Sequence, residues 1–399
     1  MKILVLTSTF SRWKDDTEPK FVDNLCHYLS QDNEVHVIAP HAAGIPRQER
    51  MDGVQVFRFK YSLDRWQTLA YDGGILPSLK QNRWRFLLIP FFLLSQYWLM
   101  LKLVRKHHYD IVHAHWIIPQ GLIAALIRPL APAGTPLVVT SHGGDLFALH
   151  GKLFTIIKKW ATGRANQLTV VSSTMKTIAE HLQLKAAPEI SVIPMGIDSH
   201  NMFCPPPAHE ERQGLLFVGR LVEKKGIEYL IAAMPLVLAA YPDQRLTIVG
   251  DGPLNDHLRM LCERHGITEH IEFKGPVSNR EIPGYLQRSA ITIFPSIVAE
   301  NGDQEGTPVA VMEALSCECA TIVSNYPGAR DIIEDGENGL LIDQKAPDQI
   351  ARAIIYFLQN PDMRQKMGAA GRKTVQRDYD WRIISARFLA LFQSLQHKT

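Results

Sequence analysis

Gly214-Leu-Leu-Phe-Val-Gly-Arg-Leu-Val-Glu-Lys-Lys-Gly226 joins an apolar run with no polar interruption to a loop rich in glycine and positive charge. A strand whose every position is apolar is one buried on both faces, as in the parallel sheets of α/β proteins. Working outward, near-continuous apolar runs of the same kind are Arg245–Val249, His270–Phe273, Ile291–Phe294, Ala320–Val323 and Gly339–Ile342 in the second half. In the first half they are Ile3–Leu6, Glu34–Ile38, Val54–Phe59, Ile111–Ala114, Leu137–Thr140 and Leu168–Val171. Segments of helical period separate these runs, which predicts two doubly wound α/β units. A chain of 399 residues exceeds what one compact core holds and fits two domains of roughly 150–200 residues.

The units are expected to meet at the Pro-rich break Ile193-Pro-Met-Gly-Ile-Asp-Ser-His-Asn-Met-Phe-Cys-Pro-Pro-Pro207. Residues 1–198 then form the first domain and 199–378 the second. The amphipathic segment 379–399 is expected to pack back on the first. Ligands of such sheets bind beyond the carboxyl ends of the strands, so a site in the cleft between two facing units is expected. The loops that follow strands matter most.

Four of those loops carry unusual chemistry. Ser141-His142-Gly-Gly-Asp145 follows one strand of the first half. Gly219-Arg220-Leu-Val-Glu-Lys-Lys225-Gly226 offers a guanidinium fork and an ammonium between glycines, a set suited to a diphosphate. The bland alternative is that Lys224 and Lys225 are solvated charges at a helix start. Gly250-Asp-Gly-Pro253 follows the next strand, and Glu305-Gly-Thr-Pro-Val-Ala-Val-Met-Glu313 places two carboxylates eight positions apart. Thr307 is expected as the N-cap and Pro308 as the first residue of a helix there, with Glu305 just before it and Glu313 inside. A helix N-terminus suits phosphate, and carboxylates accept hydrogen bonds from sugar hydroxyls. His142 alone is more often structural than functional; its place at a strand's carboxyl end, with Asp145 close by, favours function.

These motifs resemble the retaining nucleotide-sugar glycosyltransferases of family 4, also called group 1, which have the GT-B architecture of two Rossmann-like domains. The resemblance rests on Gly219-Arg220 with Lys225-Gly226, on Gly250-Asp-Gly-Pro253, and on Glu-x7-Glu at 305 and 313. Asn325-Tyr-Pro-Gly-Ala-Arg-Asp-Ile-Ile-Glu-Asp-Gly-Glu-Asn-Gly-Leu-Leu341 and Tyr109-Asp-Ile-Val-His-Ala-His115 are similar to the family as well. The likeness is strong over 214–345 and looser before 200.

The resemblance implies that Arg220 and Lys225 bind the donor diphosphate, beside Gly219, and that Glu313 holds the ribose hydroxyls. Glu305 then contacts the sugar near the reacting carbon. Gly306 and the backbone after it, with Thr307 and Val309, close around the phosphates, Val277 lies near the base, and His142 sits by the donor sugar. It further implies transfer with retention by front-face attack, from a UDP- or GDP-sugar to a glycan or polyprenyl-linked saccharide, in cell-surface polysaccharide or lipopolysaccharide synthesis. No cofactor beyond the nucleotide-sugar co-substrate is expected, and no metal. Asp378-Tyr-Asp380 reads as a helix cap. Two departures from the family matter: Pro308 replaces a common Gly and has no N–H to offer the phosphate or sugar, and Thr7–Pro19 lacks a Gly-Gly pair, so the acceptor side is expected to differ.

His113 and His115 point from one face of a strand, as a metal pair or as packing. The run Phe86–Leu101 falls short of the roughly 20 apolar residues of a spanning helix. Lys80, Arg83 and Arg85 precede it; Lys102, Arg105 and Lys106 follow. It reads as a core helix or as a patch on the inner-membrane surface spanning 80–106. A net charge of +3 makes no case for nucleic acid. Five scattered cysteines fit a reducing compartment, so a cytoplasmic, peripheral protein is expected.

Neither Leu6-Thr-Ser-Thr-Phe10 nor Val249-Gly-Asp-Gly-Pro253 supplies the Gly-x-Gly-x-x-Gly of a dinucleotide-dependent dehydrogenase. A GT-B sugar-nucleotide epimerase and a non-catalytic membrane-docked subunit are the remaining alternatives.

Overall fold

The computed structural model describes residues 1–397 except 14, 15, 17, 72, 133, 150, 187, 188, 208–211, 301 and 302. Asn301 and Gly302, on the approach to Glu305, thus lie outside the described residues, as do 398 and 399 of the C-terminal segment. Two compact units result. One holds Met1–Pro194 and Ile384–Thr399, the other Met195–Ile383.

The first unit is built on an eight-stranded sheet. Its strands are β1 (Lys2–Leu6), β2 (Glu34–Pro40), β3 (Gln48–Met51), β4 (Val54–Phe59), β5 (Ile111–His115), β6 (Leu137–Ser141), β7 (Gln167–Val170) and β8 (Ile190–Val192). They lie in the order β3-β4-β2-β1-β5-β6-β7-β8, parallel throughout except for β3 against β4. Every residue of β5, β6 and β7 is buried, the consequence of helices on both faces. The chain winds outward from β1 and restarts on its other side at β5, so the reversal lies between those two strands.

The second unit carries six strands, β9 (Leu215–Val218), β10 (Leu246–Val249), β11 (Ile271–Gly275), β12 (Ile291–Phe294), β13 (Ala320–Ser324) and β14 (Leu340–Ile342). All are parallel, in the order β11-β10-β9-β12-β13-β14. That is the doubly wound dinucleotide-fold order, with its reversal between β9 and β12. Phe217, Ile231, Met234, Ile248, Ile293 and Phe357 are among the fully buried side chains on one side of this sheet. Leu216, Met312, Leu315 and Val323 fill the other.

The last helix, Trp381–Gln396, begins in the second unit and ends in the first. Asp380 caps it, its Oδ1 accepting from the Arg382 N–H at 2.9 Å and its Oδ2 from the Ser199 hydroxyl at 2.5 Å. Farther along, Phe388 and Phe392 lie on the His113 ring, with centroids 5.0 and 5.5 Å away. The cysteines are unpaired thiols, and burial pushes that of Cys319 up to about 12.

The apolar run before residue 106 is helical, with one face in the core and the other bare. A 3₁₀ turn, Arg83–Leu88, leads into the helix Ile89–Lys106, a 24-residue stretch long and apolar enough to cross a bilayer. The expected shortfall in length is therefore corrected: helical structure continues through Arg83–Leu88. Phe92, Gln96, Met100, Leu103 and Val104 are buried in the unit's core. The opposite stripe is bare: Leu87 is 72% exposed, Phe91 60%, Leu94 53% and Trp98 58%.

Candidate active site

The loops that leave β9, β10 and β11 are tied by their own backbones. Gly219 N–H donates to Val249 O at 3.0 Å, Leu221 N–H to Asp251 O at 3.0 Å, and Gly250 N–H to Gly275 O at 2.9 Å. A 3₁₀ turn at Glu223–Lys225 ends at Gly226, and the helix Ile227–Ala240 follows. The Lys224 carbonyl accepts from Ile297 N–H at 2.8 Å, which fastens this turn to the loop after β12. Two loops flanking the reversal point are thereby held side by side.

That fastening brings together residues 80 positions apart. Lys225 Nζ lies 3.2 Å from Glu305 Oε2. Lys224 Nζ lies 3.2 Å from Asp303 Oδ1 and 3.8 Å from Glu305 Oε1. The two lysines are therefore neither simply solvated nor waiting free for a phosphate. Glu305 is largely enclosed, and its Oε1 has no hydrogen-bond partner. Arg220, by contrast, is exposed, with no carboxylate in ion-pair range among the described residues.

The helix after Glu305 is Val309–Ser316, with Pro308 in the N-cap position. Thr307 is thus one residue outside the expected cap, because the Pro308 backbone (φ −78°, ψ 82°) has not yet turned helical. Glu313 sits a little over a turn inside it. Burial raises its carboxyl to about 7, against the opposing pull of the Lys225 charge. Val277 packs against the Leu216 side of the core, and Gly306 and Val309 are half-buried. Tyr326, in the motif Asn325–Leu341, has no signal of its own in the sequence; it is 3% exposed and within reach of the Glu305 charge. Burial first, and the Glu305 charge second, hold its hydroxyl protonated.

In the first unit, His142 lies just past β6 and contacts His115 at the end of β5, with 2.8 Å between His115 Nδ1 and His142 Nε2. Phe21 and Trp116 flank the His142 ring at 4.7 and 5.1 Å. Burial drives His142 down to about 3 and His115 well below its ordinary value, so both are neutral near pH 7. Asp145 does not serve His142. Its carboxylate accepts instead from the Ser141 hydroxyl at 2.6 Å and the Ile117 N–H at 2.5 Å, fixing the backbone after β5. His113 turns to Thr140 Oγ1, 2.6 Å away. Among the described residues no group of three or more His, Cys, Asp or Glu is arranged to hold a metal.

Two family profiles divide the chain between them: Glycosyltransferase Family 4 over residues 20–201 and Glycosyl transferases group 1 over 201–374. The chain is a group 1 glycosyltransferase. Its relatives include the GDP-mannose-dependent α-(1-6)-phosphatidylinositol monomannoside mannosyltransferase of Mycobacterium tuberculosis, 27% identical over 72% of this chain and 77% of that one. The glycogen synthase of the same organism is 26% identical over 69% of this chain and 66% of that one. Among solved structures, sucrose-phosphate synthase from Thermosynechococcus elongatus superposes with a TM-score of 0.77 at 20% identity, covering all of both chains. Anabaena HepE in complex with UDP gives 0.72 at 17% identity over 99% of this chain and 100% of that one. The fold of this glycosyltransferase is GT-B.

Proposed function

We propose that this glycosyltransferase moves a sugar from a UDP- or GDP-sugar to a hydroxyl of a glycan or polyprenyl-linked saccharide, with retention and without a metal. The observation that carries the reading is the Lys225–Glu305 pair at the reversal point of the second sheet. A diphosphate arriving there competes with Glu305 for the Lys225 ammonium, assisted by the exposed Arg220 fork. The displaced carboxylate, with Oε1 already outside any hydrogen bond, is then an acceptor for a sugar hydroxyl. As the glycosidic bond breaks, charge grows on the leaving diphosphate, and the two cations stabilise it more than the ground state. Glu313 is assigned to the ribose.

Calorimetry with a panel of nucleotide sugars tests this, with GDP-mannose first because the sequence relatives carry it in their names and UDP-glucose second. At least one is expected to bind; a folded protein that binds none overturns the reading. Affinity is expected to weaken as pH falls through about 7, since protonated Glu313 no longer accepts from two hydroxyls. Glu313→Gln should flatten that dependence. The anomeric coupling of the product by NMR decides retention.

The bare stripe of the helix Ile89–Lys106 supports a second part of the proposal, residence on the cytoplasmic surface of an anionic inner membrane. Leu87, Phe91, Leu94 and Trp98 follow helical spacing, and Lys102 and Arg105 continue it as exposed cations. Apolar side chains entering the acyl boundary with cations at the headgroups describe an interfacial helix. Sedimentation with phosphatidylglycerol vesicles is expected to capture the protein, with phosphatidylcholine vesicles capturing about tenfold less. Phe91→Glu with Trp98→Glu should abolish capture and leave donor binding intact. Equal capture of that variant would remove the surface from the proposal.

A further inference from the structure

Tyr326 stands two residues past β13, at the start of the short helical turn Pro327–Arg330. Its carbonyl accepts from Ala329 N–H at 2.9 Å and Arg330 N–H at 3.2 Å, which fixes the backbone. The ring belongs to the same core cluster as Val311, Met312, Val323 and Ala329. A buried tyrosine hydroxyl ordinarily finds a hydrogen-bond partner. This one makes no hydrogen bond of ordinary geometry, although Ser296 lies beside it.

Glu305 Oε1 is the complementary group: a shielded acceptor that is likewise outside any hydrogen bond. Both residues belong to the second unit, and their surroundings converge. A Cβ placed on Gly328 would meet Gly306 O at 2.5 Å and Tyr326 Cε2 at 3.3 Å. The residue after Glu305 and the ring carbon beside the hydroxyl-bearing one therefore flank a single point. The Glu305 charge is felt at the Tyr326 hydroxyl and, after burial, helps to keep its proton in place. Tyr326 is thus a neutral donor that does not ionise.

A diphosphate that draws Lys225 away from Glu305 Oε2 removes the hydrogen bond of a largely enclosed carboxylate, a state that burial disfavours. Lys224, 3.8 Å from Oε1, is itself held by Asp303 at 3.2 Å. We infer that Tyr326 is a positioning residue whose hydroxyl donates to Glu305 once Lys225 has turned to the diphosphate, aiming the carboxylate at the transferred sugar. The inference rests on the roles proposed above for Lys225 and Glu305. A neutral donor suits this task better than a second ammonium. It fixes one carboxylate oxygen and leaves the negative charge available to a sugar hydroxyl on the other.

Tyr326→Phe keeps the ring and removes only the hydroxyl. Because that hydroxyl makes no hydrogen bond while Lys225 holds Glu305, the variant should melt no lower than wild type without nucleotide. Turnover is read as nucleoside diphosphate released from GDP-mannose or UDP-glucose, whichever binds by calorimetry. The kcat is expected to fall about tenfold or more, the worth of a hydrogen bond to a charged group, with KM and donor affinity within about threefold of wild type. In a Glu305→Ala background Tyr326→Phe should change nothing further, since the hydroxyl acts through the carboxylate. Wild-type turnover by Glu305→Ala, or binding of neither donor, brings down the reading of the site and this role with it. If Glu305→Ala is impaired while Tyr326→Phe turns over as wild type, or if the two losses multiply, the positioning role alone is overturned. A Tyr326→Phe protein that melts well below wild type or does not fold shows the hydroxyl to be structural, and overturns the role as well.

Discussion

Lys225→Ala and Glu305→Ala are each expected to lower transfer by about a hundredfold or more while leaving the far-ultraviolet circular dichroism unchanged. A preorganised cation facing charge that develops in the transition state is worth about 10²–10³ in rate. Glu305 loses a contact of a different kind, a hydroxyl acceptor beside the reacting carbon, yet the two effects are coupled through the 3.2 Å pair. Removing Lys225 leaves Glu305 with only the more distant Lys224, at 3.8 Å. Removing Glu305 leaves Lys225 unrestrained in the loop. The double variant should therefore lose less than the product of the single losses, the mark of residues in direct contact. Release of nucleoside diphosphate with acceptor present is the assay. Turnover within tenfold of wild type in either single variant would contradict the site.

The second large effect concerns stability and donor binding together. Alanine at Gly226 would place a Cβ 2.0 Å from Pro295 O, and alanine at Gly250 a Cβ 2.0 Å from Gly219 O. Both glycines also have positive φ, 61° and 134°. The obstructing atoms are backbone, so neither can step aside without parting loops that hold Arg220 and Lys225. A left-handed alanine alone costs about 1–2 kcal/mol, and the clash adds about 1–3 kcal/mol. Gly336→Ala is the control, since φ there is 79° with no atom within 4 Å of the new Cβ. Gly250→Ala is expected to melt several degrees below Gly336→Ala and to bind no donor by calorimetry. Coincident melting curves would refute the close-approach argument.

Each strand expected from a near-continuous apolar run is present; for β5, β6, β7, β9, β12 and β13 every residue is buried, the double-sided burial that leaves such a mark in one sequence. β3 and β8 left no such mark. Gln48–Met51 is a polar antiparallel edge strand without a buried residue, and Ile190–Val192 is a three-residue edge strand with one. Arg220, Lys225 and Glu305 stand out as candidates from their positions in loops after strands. Their partners do not. That Glu305 holds Lys225 follows from the hydrogen bond between Ile297 and Lys224, a loop-to-loop register no local pattern encodes. Asp145 looked like a partner for His142 because it is three residues away, yet the turn directs it to Ile117. The true partner, His115, belongs to the adjacent strand, and only the pairing of β5 with β6 brings it near.

The helix Trp381–Gln396 sets a condition on how this protein is made. Residues 195–383 are continuous in the chain, whereas the first unit needs both Met1–Pro194 and Ile384–Thr399. During synthesis the N-terminal part emerges first but must wait for the helix Trp381–Gln396 before Phe388 and Phe392 can cover His113. Order of emergence and order of completion are therefore reversed: the half made second is the one that can finish first.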